Sequence, residues 1–469
     1  MDKYKKLFSN TLIFGIGTFS SKILVLLMTR LYTQYMTPAD YGAVNLVIQA
    51  GNLLLPLATV GITNGIIRFG LDKAVNKADV FTTGILTFIC GYGMLLLFEP
   101  LLTKIPYFEG RIWMVYLFLF TSSLRSLCSQ FVRSRQLIRL YALDGILSTI
   151  TTILFTVLFL VSLDMGITGY MLAIILSDAL SALFLFFTAS LHRYFRITRL
   201  NTGVTGAMLR YSVPLIPTTI FWWITNTSDH YIVTHILGDA ANGLYVAAYK
   251  IPTIIVLVST IFMDAWQVSA VTENDNIDKE RYGRFFTRIF TAYQAAIFVV
   301  SAGLILFAKV IIKILAAQSY YDAWRYIPIL LIATAFSCMV TFTGSIYMVE
   351  KRSVFTLVTT LLGAVINVVL NLLLIPQLGV NGAALATFVS YFVVFVIRAI
   401  HTRKIIRINW QPVRLTVNTL ILAVQSVVIL YSFQGWVYVE ILLTAVMLVL
   451  NMGPLLATVQ KIFKKAKRA

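Results

Sequence analysis

The sequence predicts an all-α integral membrane protein with about 14 transmembrane helices, and three observations lead to this prediction. First, 59% of the 469 residues are hydrophobic and only 12% are charged, whereas soluble globular proteins carry about 25% charged residues. Second, apolar runs of about 20 residues, the length that crosses a bilayer as a helix, recur along the chain. Third, Lys and Arg concentrate in every second connector between these runs, which is typical of membrane topology.

The apolar runs are too long for strands and lack the alternation of polar and apolar residues that marks a half-buried strand. The polar stretch over residues 272–284 is too short to form a soluble domain. The 14 predicted spans cover approximately residues 8–33, 41–67, 80–103, 112–132, 141–163, 167–191, 207–236, 243–270, 284–307, 323–349, 353–375, 379–400, 414–433 and 436–458.

The connectors predict the orientation of the chain. With the N-terminus in the cytoplasm, 29 of the 38 Lys and Arg residues fall on the cytoplasmic side, 6 fall on the outer side and 3 lie inside helices. A missing or additional helix would destroy this alternation, so both termini are predicted to be cytoplasmic. Topology then explains the net charge of +19, and we expect no nucleic-acid partner because the basic residues form no runs on a soluble surface.

A parallel internal repeat is predicted from two sequence matches. GITGYMLAIILS (166–177) and GVNGAALATFVS (379–390) share Gly, Gly, Leu, Ala and Ser, and TPADYGAV (37–44) more weakly matches GDAANGLY (238–245). Six predicted spans separate the members of each pair, an even number, so both copies have the same orientation in the membrane. The predicted organisation is an N-terminal lobe of six helices (1–200), a C-terminal lobe of six helices (201–405), and two further helices with a basic cytoplasmic tail (406–469).

Several function classes lack support in the sequence. Cys90, Cys128 and Cys338 lie in separate apolar runs without ligand spacing, so we expect neither disulfides nor a metal site. The first apolar run exceeds a signal-peptide core and is interpreted as a retained helix. No Walker lysine motif, catalytic carboxylate pair or Ser-His-Asp arrangement occurs. The sequence therefore indicates a carrier without a cofactor rather than an enzyme.

Three segments resemble the bacterial polysaccharide transporter and lipid-linked oligosaccharide flippase family, which shares a superfamily with multidrug and toxin extrusion exporters and lipid II flippases. They are SNTLIFGIGTFSSKILVLLMTRLYTQYMTPADYGAVNL (9–46), SDHYIVTHILGDAANGLYVAAYKIP (228–252) and LLLIPQLGVNGAALATFVSY (372–391). The resemblance implies two six-helix lobes around a central cavity that opens alternately to each side of the bacterial plasma membrane. It also implies transport of an undecaprenyl-diphosphate-linked saccharide, with the last two helices as a groove for the lipid tail.

Cations inside the predicted spans or near their ends fit such an anionic diphosphate headgroup, because a charge at membrane depth is costly unless it faces water or a partner. Arg30 near the outer interface and Arg68 beside a cytoplasmic loop have alternative interpretations, as a snorkelling side chain and as a topology signal. Arg125 has Asp144 as an alternative structural partner. The candidate substrate-binding cations are Lys22, Arg30, Arg68, Arg125 and Lys250.

Acidic and aromatic residues inside the spans add further candidates. Asp178, Asp229 and Asp264 are candidates for binding a coupling cation, H⁺ or Na⁺. Asp229 has an alternative role as an ion-pair partner of Lys250. Trp222 and Asn226 are candidate sugar-binding residues, although aromatic residues also form interfacial belts.

These observations predict a flippase that presents a lipid-linked oligosaccharide at the outer leaflet for surface polysaccharide assembly, by alternating access. The membrane potential is an alternative driver to cation coupling, since it favours outward movement of an anion by about 2.3 kcal/mol per charge per 100 mV. The alternatives are a multidrug–cation antiporter, which needs carboxylates in the first lobe, and a membrane polymerase or glycosyltransferase, which needs a large outer loop. Polymerases and glycosyltransferases are candidate partners, and the oligomeric state is left open.

Overall fold

The computed structural model of the chain describes residues 24, 26–104, 110–196, 201–272, 279–349 and 353–466, and these residues form helices and connecting turns without a strand. Contacts between Cα atoms divide the chain into two units, Met1–Thr227 (unit 1) and Ser228–Ala469 (unit 2). The boundary lies within one helix, and the division into two six-helix lobes and a C-terminal pair stays a prediction.

The described helices of unit 1 begin with α1, residues 26–35. They continue with α2 (Pro38–Ala58), α3 (Ile62–Gly70), α4 (Lys77–Leu97), α5 (Glu99–Leu102), α6 (Ile112–Ser134), α7 (Ile138–Thr156), α8 (Gly166–Thr188), α9 (Thr202–Ser212) and α10 (Ile216–Leu237), the last of which crosses into unit 2.

The helices of unit 2 follow in the same way. They are α11 (Asp239–Tyr249), α12 (Pro252–Thr272), α13 (Lys279–Leu306), α14 (Ala308–Leu315), α15 (Ile327–Val349), α16 (Ser353–Leu378), α17 (Val380–Thr402), α18 (Pro412–Tyr431) and α19 (Trp436–Ala466).

Local sequence explains where α2 starts and stops. The Thr37 hydroxyl accepts a hydrogen bond from the backbone N–H of Asp40, whose carboxylate accepts one from the N–H of Thr37, so two N-terminal donors are satisfied reciprocally. Pro38 occupies the first turn, where its missing N–H costs nothing. Gly61 then adopts φ +64° and separates α2 from α3.

Eleven helices of the described residues are long and apolar enough to span a membrane, and a twelfth span results if α11 and the first part of α12, which meet at 42°, form one broken span. These twelve coincide with twelve predicted spans. The first predicted span lies mostly outside the described residues. The seventh corresponds to α10, which is not among these spans, and its polar run from Asn226 to His230 lowers its hydropathy. The structure therefore supports a multi-pass membrane protein with 11 or 12 spans in its described part, and the count of 14 is not established.

The two copies of the repeated glycine motif share their backbone geometry. Gly166 and Gly379 both have positive φ, +53° and +61°, immediately before the body of α8 and α17. Three residues later, Gly169 approaches the carbonyl oxygen of Phe159, in the π-helical turn Val157–Ser162 that continues α7, and Gly382 approaches that of Leu374 on α16. A Cβ atom at either glycine would collide with this oxygen. Each motif thus begins a long helix and brings it against the backbone of the preceding helix.

Candidate functional site

A buried ion cluster joins three helices of unit 1. Arg125 on α6 donates to Asp178 on α8 over 2.8 Å, and its other terminal nitrogen lies 3.5 Å from Asp144 on α7. The serine hydroxyl of Ser122 donates to Asp178, and that of Ser181 donates to Asp144. The cluster forms here because the three helices pack directly on one another, and because carboxylates at this depth need partners.

The composition of this cluster limits what Arg125 can do. One guanidinium faces two carboxylates, and the Arg125 side chain is only 26% exposed. The sequence allows two roles for Arg125, as a substrate-binding residue or as the ion-pair partner of a residue such as Asp144. The structure provides that partner and adds Asp178, so the anion-binding capacity of Arg125 is already satisfied within unit 1.

A second polar network lies in unit 2 around the carboxylate of Asp229, which is 1% exposed. Its oxygens accept hydrogen bonds from the Tyr245 hydroxyl at 2.7 Å and from the backbone N–H of His230 at 2.9 Å. The His230 ring meets the side chain of Asn242 at 2.7 Å and the Tyr249 ring at a centroid distance of 5.5 Å. Among the described residues, Asp229 forms no ion pair, and the alternative pairing with Lys250 is therefore not found.

The Asp229 network continues into α16 and α17 through side-chain amides. The hydroxyl of Tyr249 is in hydrogen-bonding reach of Thr387 on α17. The Asn367 amide donates to Thr387 at 3.2 Å, and its oxygen accepts from Asn371 at 2.9 Å. The oxygen of Asn371 is buried and has no hydrogen-bond partner within the described part of the chain. Carboxylate, hydroxyl and amide oxygens thus concentrate at membrane depth, which is a donor set suited to a small hard cation or a proton.

Lys250 occupies the break between α11 and α12, where the broken span bends by 42°. The break has a sequence cause: Pro252 begins α12 and lacks the N–H that would continue the helix. The side chain is half-buried, and no carboxylate within the described ranges forms an ion pair with it. A cation without a counter-ion in an apolar span is costly unless it meets water or an anion.

The other predicted substrate residues of unit 1 are placed separately. Arg30 on α1 and Arg68 in the last turn of α3 are exposed. On α10, Asn226 is exposed and donates to the carbonyl of Trp222, which is half-buried. The neighbouring indole of Trp223 donates to the backbone of α2 at 2.9 Å and fixes this part of α10 within unit 1. These four predicted residues are thus distributed over α1, α3 and α10.

Two predicted residues cannot be placed. Lys22 lies outside the described residues, and the side chain of Asp264 does so as well. The described part of the chain contains no group of three or more His, Cys, Asp and Glu side chains arranged to hold a metal ion. Cys128 and Cys338 are buried free thiols and Cys90 is an exposed free thiol.

For one buried cation, Arg398, the topology prediction is wrong. Arg398 is one of the 29 cations that the topology prediction places on the cytoplasmic side, but it lies inside α17 and is 1% exposed. Its guanidinium donates to Thr359 at 2.9 Å, to Thr360 at 3.1 Å, and to the carbonyl of Val340 at 3.0 Å. The hydroxyls of α16 thus solvate a charge that no nearby carboxylate of the described residues neutralises. Two features of the sequence could have predicted this site: Arg398 lies within the predicted span 379–400, and the neighbouring span contains the adjacent hydroxyl residues Thr359 and Thr360.

Asn367 and Asn371 were also missed. Their spacing of four places both amides on one face of α16, and polar side chains at that spacing inside an apolar helix indicate a buried polar site. This spacing was the signal in the sequence for the amide pair, which carries no charge.

Comparison with known structures identifies the fold. The lipid II flippase MurJ in an inward closed conformation superposes with a TM-score of 0.67 at 14% identity, covering 98% of this chain and 100% of that one. An inward-facing multidrug resistance MATE family transporter of the MOP superfamily gives a TM-score of 0.64 at 15% identity, with coverages of 81% and 94%. A MOP superfamily transporter from Pyrococcus furiosus Vc1 (DSM3638) gives 0.57 at 14% identity, with coverages of 83% and 94%.

Sequence comparison adds the family. No curated protein matches the chain, but a family model described as "Polysaccharide biosynthesis protein" matches residues 27–325, which is more than half of the chain. The flippase and transporter resemblance predicted from the sequence is confirmed by these matches. The chain has the fold of MOP-superfamily transporters and belongs to the polysaccharide biosynthesis protein family.

Proposed function

We propose that this chain is a flippase for an undecaprenyl-diphosphate-linked oligosaccharide. It moves this lipid by alternating access from the cytoplasmic to the outer leaflet of the bacterial plasma membrane, with both of its own termini in the cytoplasm. Polymerases and glycosyltransferases of surface polysaccharide assembly are its expected partners. Membership of a polysaccharide biosynthesis family and the fold shared with a lipid II flippase and MATE transporters support this class of function.

The observation that carries the choice of an anionic substrate is the environment of Lys250. Its ammonium lies at the bend of a broken span, and no ion pair to it occurs in the described residues. By contrast, the Arg125 guanidinium already has two carboxylate partners. A cation that lacks a counter-ion at membrane depth is suited to transient binding of a diphosphate, whereas an organic cation would be repelled there.

The same contrast argues against the multidrug alternative. A carrier of organic cations needs accessible carboxylates in its first lobe, but Asp144 and Asp178 are engaged by Arg125 and by serine hydroxyls. The polymerase or glycosyltransferase alternative needs a large loop with catalytic carboxylates. The connectors among the described residues are short, and the chain shares its fold with transporters.

Transport by purified protein in proteoliposomes tests this function. The probe is a fluorescent undecaprenyl-diphosphate oligosaccharide, and the readout is its accessibility to an external quencher over time. We expect Lys250→Gln to reduce the rate at least about tenfold, the effect of losing one charge-assisted contact to a diphosphate. Lys73→Gln, which removes an exposed charge from a turn, is the matched control and should transport normally.

Two outcomes would contradict the proposal. The first is no movement of the labelled lipid by the wild-type chain while the same vesicles accumulate an organic cation such as ethidium, which would favour the multidrug antiporter. The second is an unchanged rate for Lys250→Gln at equal reconstitution, which would remove Lys250 from the substrate path.

The Asp229 network is the proposed coupling site. Asp229 is buried with neutral hydrogen-bond donors only, and the buried oxygen of Asn371 is without a hydrogen-bond partner in the described residues. An uncompensated carboxylate of this kind gains most from a bound cation, H⁺ or Na⁺. Asp178 is a weaker candidate because it already has Arg125 as its cation.

Imposed gradients distinguish the possible drivers in the same vesicles. If Asp229 couples transport, a Na⁺ or pH gradient should accelerate the wild-type chain, and Asp229→Asn should remove that acceleration while voltage-driven transport persists. Acceleration by voltage alone, with equal response in Asp229→Asn and wild type, would assign the driving force to the membrane potential.

A further inference from the structure

A cavity of about 560 Å³ opens in unit 1 at the end where α4 begins and α6 and α8 finish. Its wall consists of the first residues of α4, the turn after α6 and the segment after α8. This cavity is separate from the Arg125 cluster and is not used in the transport proposal. Arginines dominate the lining charge: the residues are Asn76, Ala78, Arg135, Leu137, Thr188, Ala189, Ser190, Arg193, Tyr194 and Arg196.

The position of Arg135 is fixed by two contacts. Its guanidinium lies 4.7 Å from the centroid of the Tyr194 ring and donates through Nη1 to the carbonyl of Ala189 at 3.0 Å. A guanidinium has five N–H donors, and the remaining donors of Arg135 have no protein acceptor in the described part of the chain. The arginine is therefore held in place while most of its hydrogen-bonding capacity is unused.

Arg193 and Arg196 complete the cationic wall. Both side chains are exposed, and neither forms an ion pair with any described residue. The described residues of the lining include no carboxylate, so the charges of three arginines at this cavity are not compensated by these residues. Their mutual repulsion is relieved when an anion enters, and the planar fork of arginine matches phosphate oxygens at two points.

We propose that this cavity binds the phosphate group of an anionic membrane lipid. The three arginines provide the charge, and Thr188, Ser190 and Asn76 provide additional polar groups in the wall. Because the cavity lies where three spanning helices end, it is at the depth of lipid headgroups, where a lipid phosphate is concentrated. In the proposed orientation this is the cytoplasmic leaflet. A free phosphate would make the same contacts with the arginines, but it is not concentrated at the membrane surface as a lipid phosphate is.

Native mass spectrometry and thermal unfolding of the full chain in detergent test the site. The probes are phosphatidylglycerol and cardiolipin, with phosphatidylcholine, inorganic phosphate and pyrophosphate as comparisons. We expect the anionic lipids to bind and to raise the unfolding temperature. Arg193→Gln/Arg196→Gln should weaken that binding at least about tenfold, since two charged hydrogen-bond donors are lost.

The matched control is Lys73→Gln/Arg139→Gln, which removes two exposed charges outside the cavity from the turn before α4 and the start of α7. It should bind anionic lipid like the wild type. Equal losses in both double variants would show general surface attraction and overturn the site. An unfolding shift with inorganic phosphate or pyrophosphate that equals the shift with lipid would overturn the lipid assignment, because the ligand would then be a free phosphate.

Discussion

Arg125 and Asp178 form a hydrogen-bonded ion pair of 2.8 Å between α6 and α8, and Asp144 on α7 lies at 3.5 Å from the same guanidinium. Removing the cation leaves two carboxylates without a counter-ion. We expect Arg125→Gln to lower the free energy of unfolding by about 3 kcal/mol, the lower part of the range for a broken buried pair because Arg125 is partly exposed.

Thermal unfolding in detergent checks this expectation, with Arg125→Gln/Asp178→Asn as the compensating variant. The double variant should recover part of the loss, because one uncompensated carboxylate is removed with the guanidinium. If Arg125→Gln unfolds like the wild type but fails to transport, the residue acts on substrate and the structural interpretation is wrong.

Arg398 is predicted to respond unusually to conservative substitution. Its planar guanidinium donates hydrogen bonds to Thr359, Thr360 and the carbonyl of Val340 at once, and the single ammonium of a lysine cannot replace all three. Arg398→Lys should therefore keep a buried charge with fewer partners and lose about 2 kcal/mol of stability. Arg398→Met removes the charge and should be less harmful than Arg398→Lys. Unfolding temperatures in the opposite order would contradict this explanation.

Gly382 should tolerate no side chain, because a Cβ atom there would collide with the carbonyl oxygen of Leu374. We expect Gly382→Ala to cost about 1–3 kcal/mol, the usual range for overpacking. Gly303 in α13 is the control, since a Cβ atom there has no atom within 4 Å. Gly303→Ala should be neutral or stabilising by about 0.4–1 kcal/mol. Similar unfolding temperatures for the two variants would show that α17 can move away from α16 at little cost.

The α18–α19 pair depends on side-chain amides. Gln425 donates to the fully buried carboxyl of Glu440 and to Thr444, both at 3.0 Å, and Asn418 and Asn451 exchange hydrogen bonds at 3.1 and 3.0 Å. Glu440→Gln keeps the acceptor for Gln425, so we expect its stability to stay within about 1 kcal/mol of the wild type. Glu440→Ala should lose about 1–3 kcal/mol, because it leaves buried polar atoms without partners. Chemical denaturation in detergent compares the two, and a larger loss in Glu440→Gln would indicate that the charge itself is required.

Lys309 joins α14 to the start of α19 outside the spans. Its ammonium lies 4.2 Å from the ring centroid of Trp324 and 4.3 Å from that of Trp436, and it donates to Ser432 at 2.5 Å. Burial lowers the pKa of Lys309, and the charge of Arg325 lowers it further. Lys309→Met should lower stability by about 0.5–2 kcal/mol, the range for cation–π contacts. Quenching of tryptophan fluorescence measures the exposure of both rings. This exposure should rise in the variant, and it would stay unchanged if the lysine does not cover the rings.

The sequence alone determined the class of the molecule. The span lengths and the low content of charged residues indicate a protein in a bilayer. A run of about 20 apolar residues crosses lipid as a helix because its backbone N–H and C=O groups are then hydrogen-bonded within the run. Eleven predicted spans match long apolar helices of the described residues for that reason, and a twelfth matches if α11 and the first part of α12 form one span. The repeated glycines also predict local structure, because each of their two roles depends on the missing side chain. Gly166 and Gly379 adopt positive φ, and Gly169 and Gly382 allow close approach of a neighbouring backbone.

Only the tertiary structure decided which charges have partners. From the sequence, Arg125 and Lys250 are both cations inside apolar spans, and Arg398 belongs to the 29 cations predicted on the cytoplasmic side. In the folded chain, Arg125 contacts two carboxylates, and Arg398 is surrounded by neutral oxygens of α15 and α16. Lys250 lies at a helix break and forms no ion pair among the described residues. The physical reason is that the cost of a buried charge depends on groups far away in the chain, which come within a few ångströms only when the helices pack.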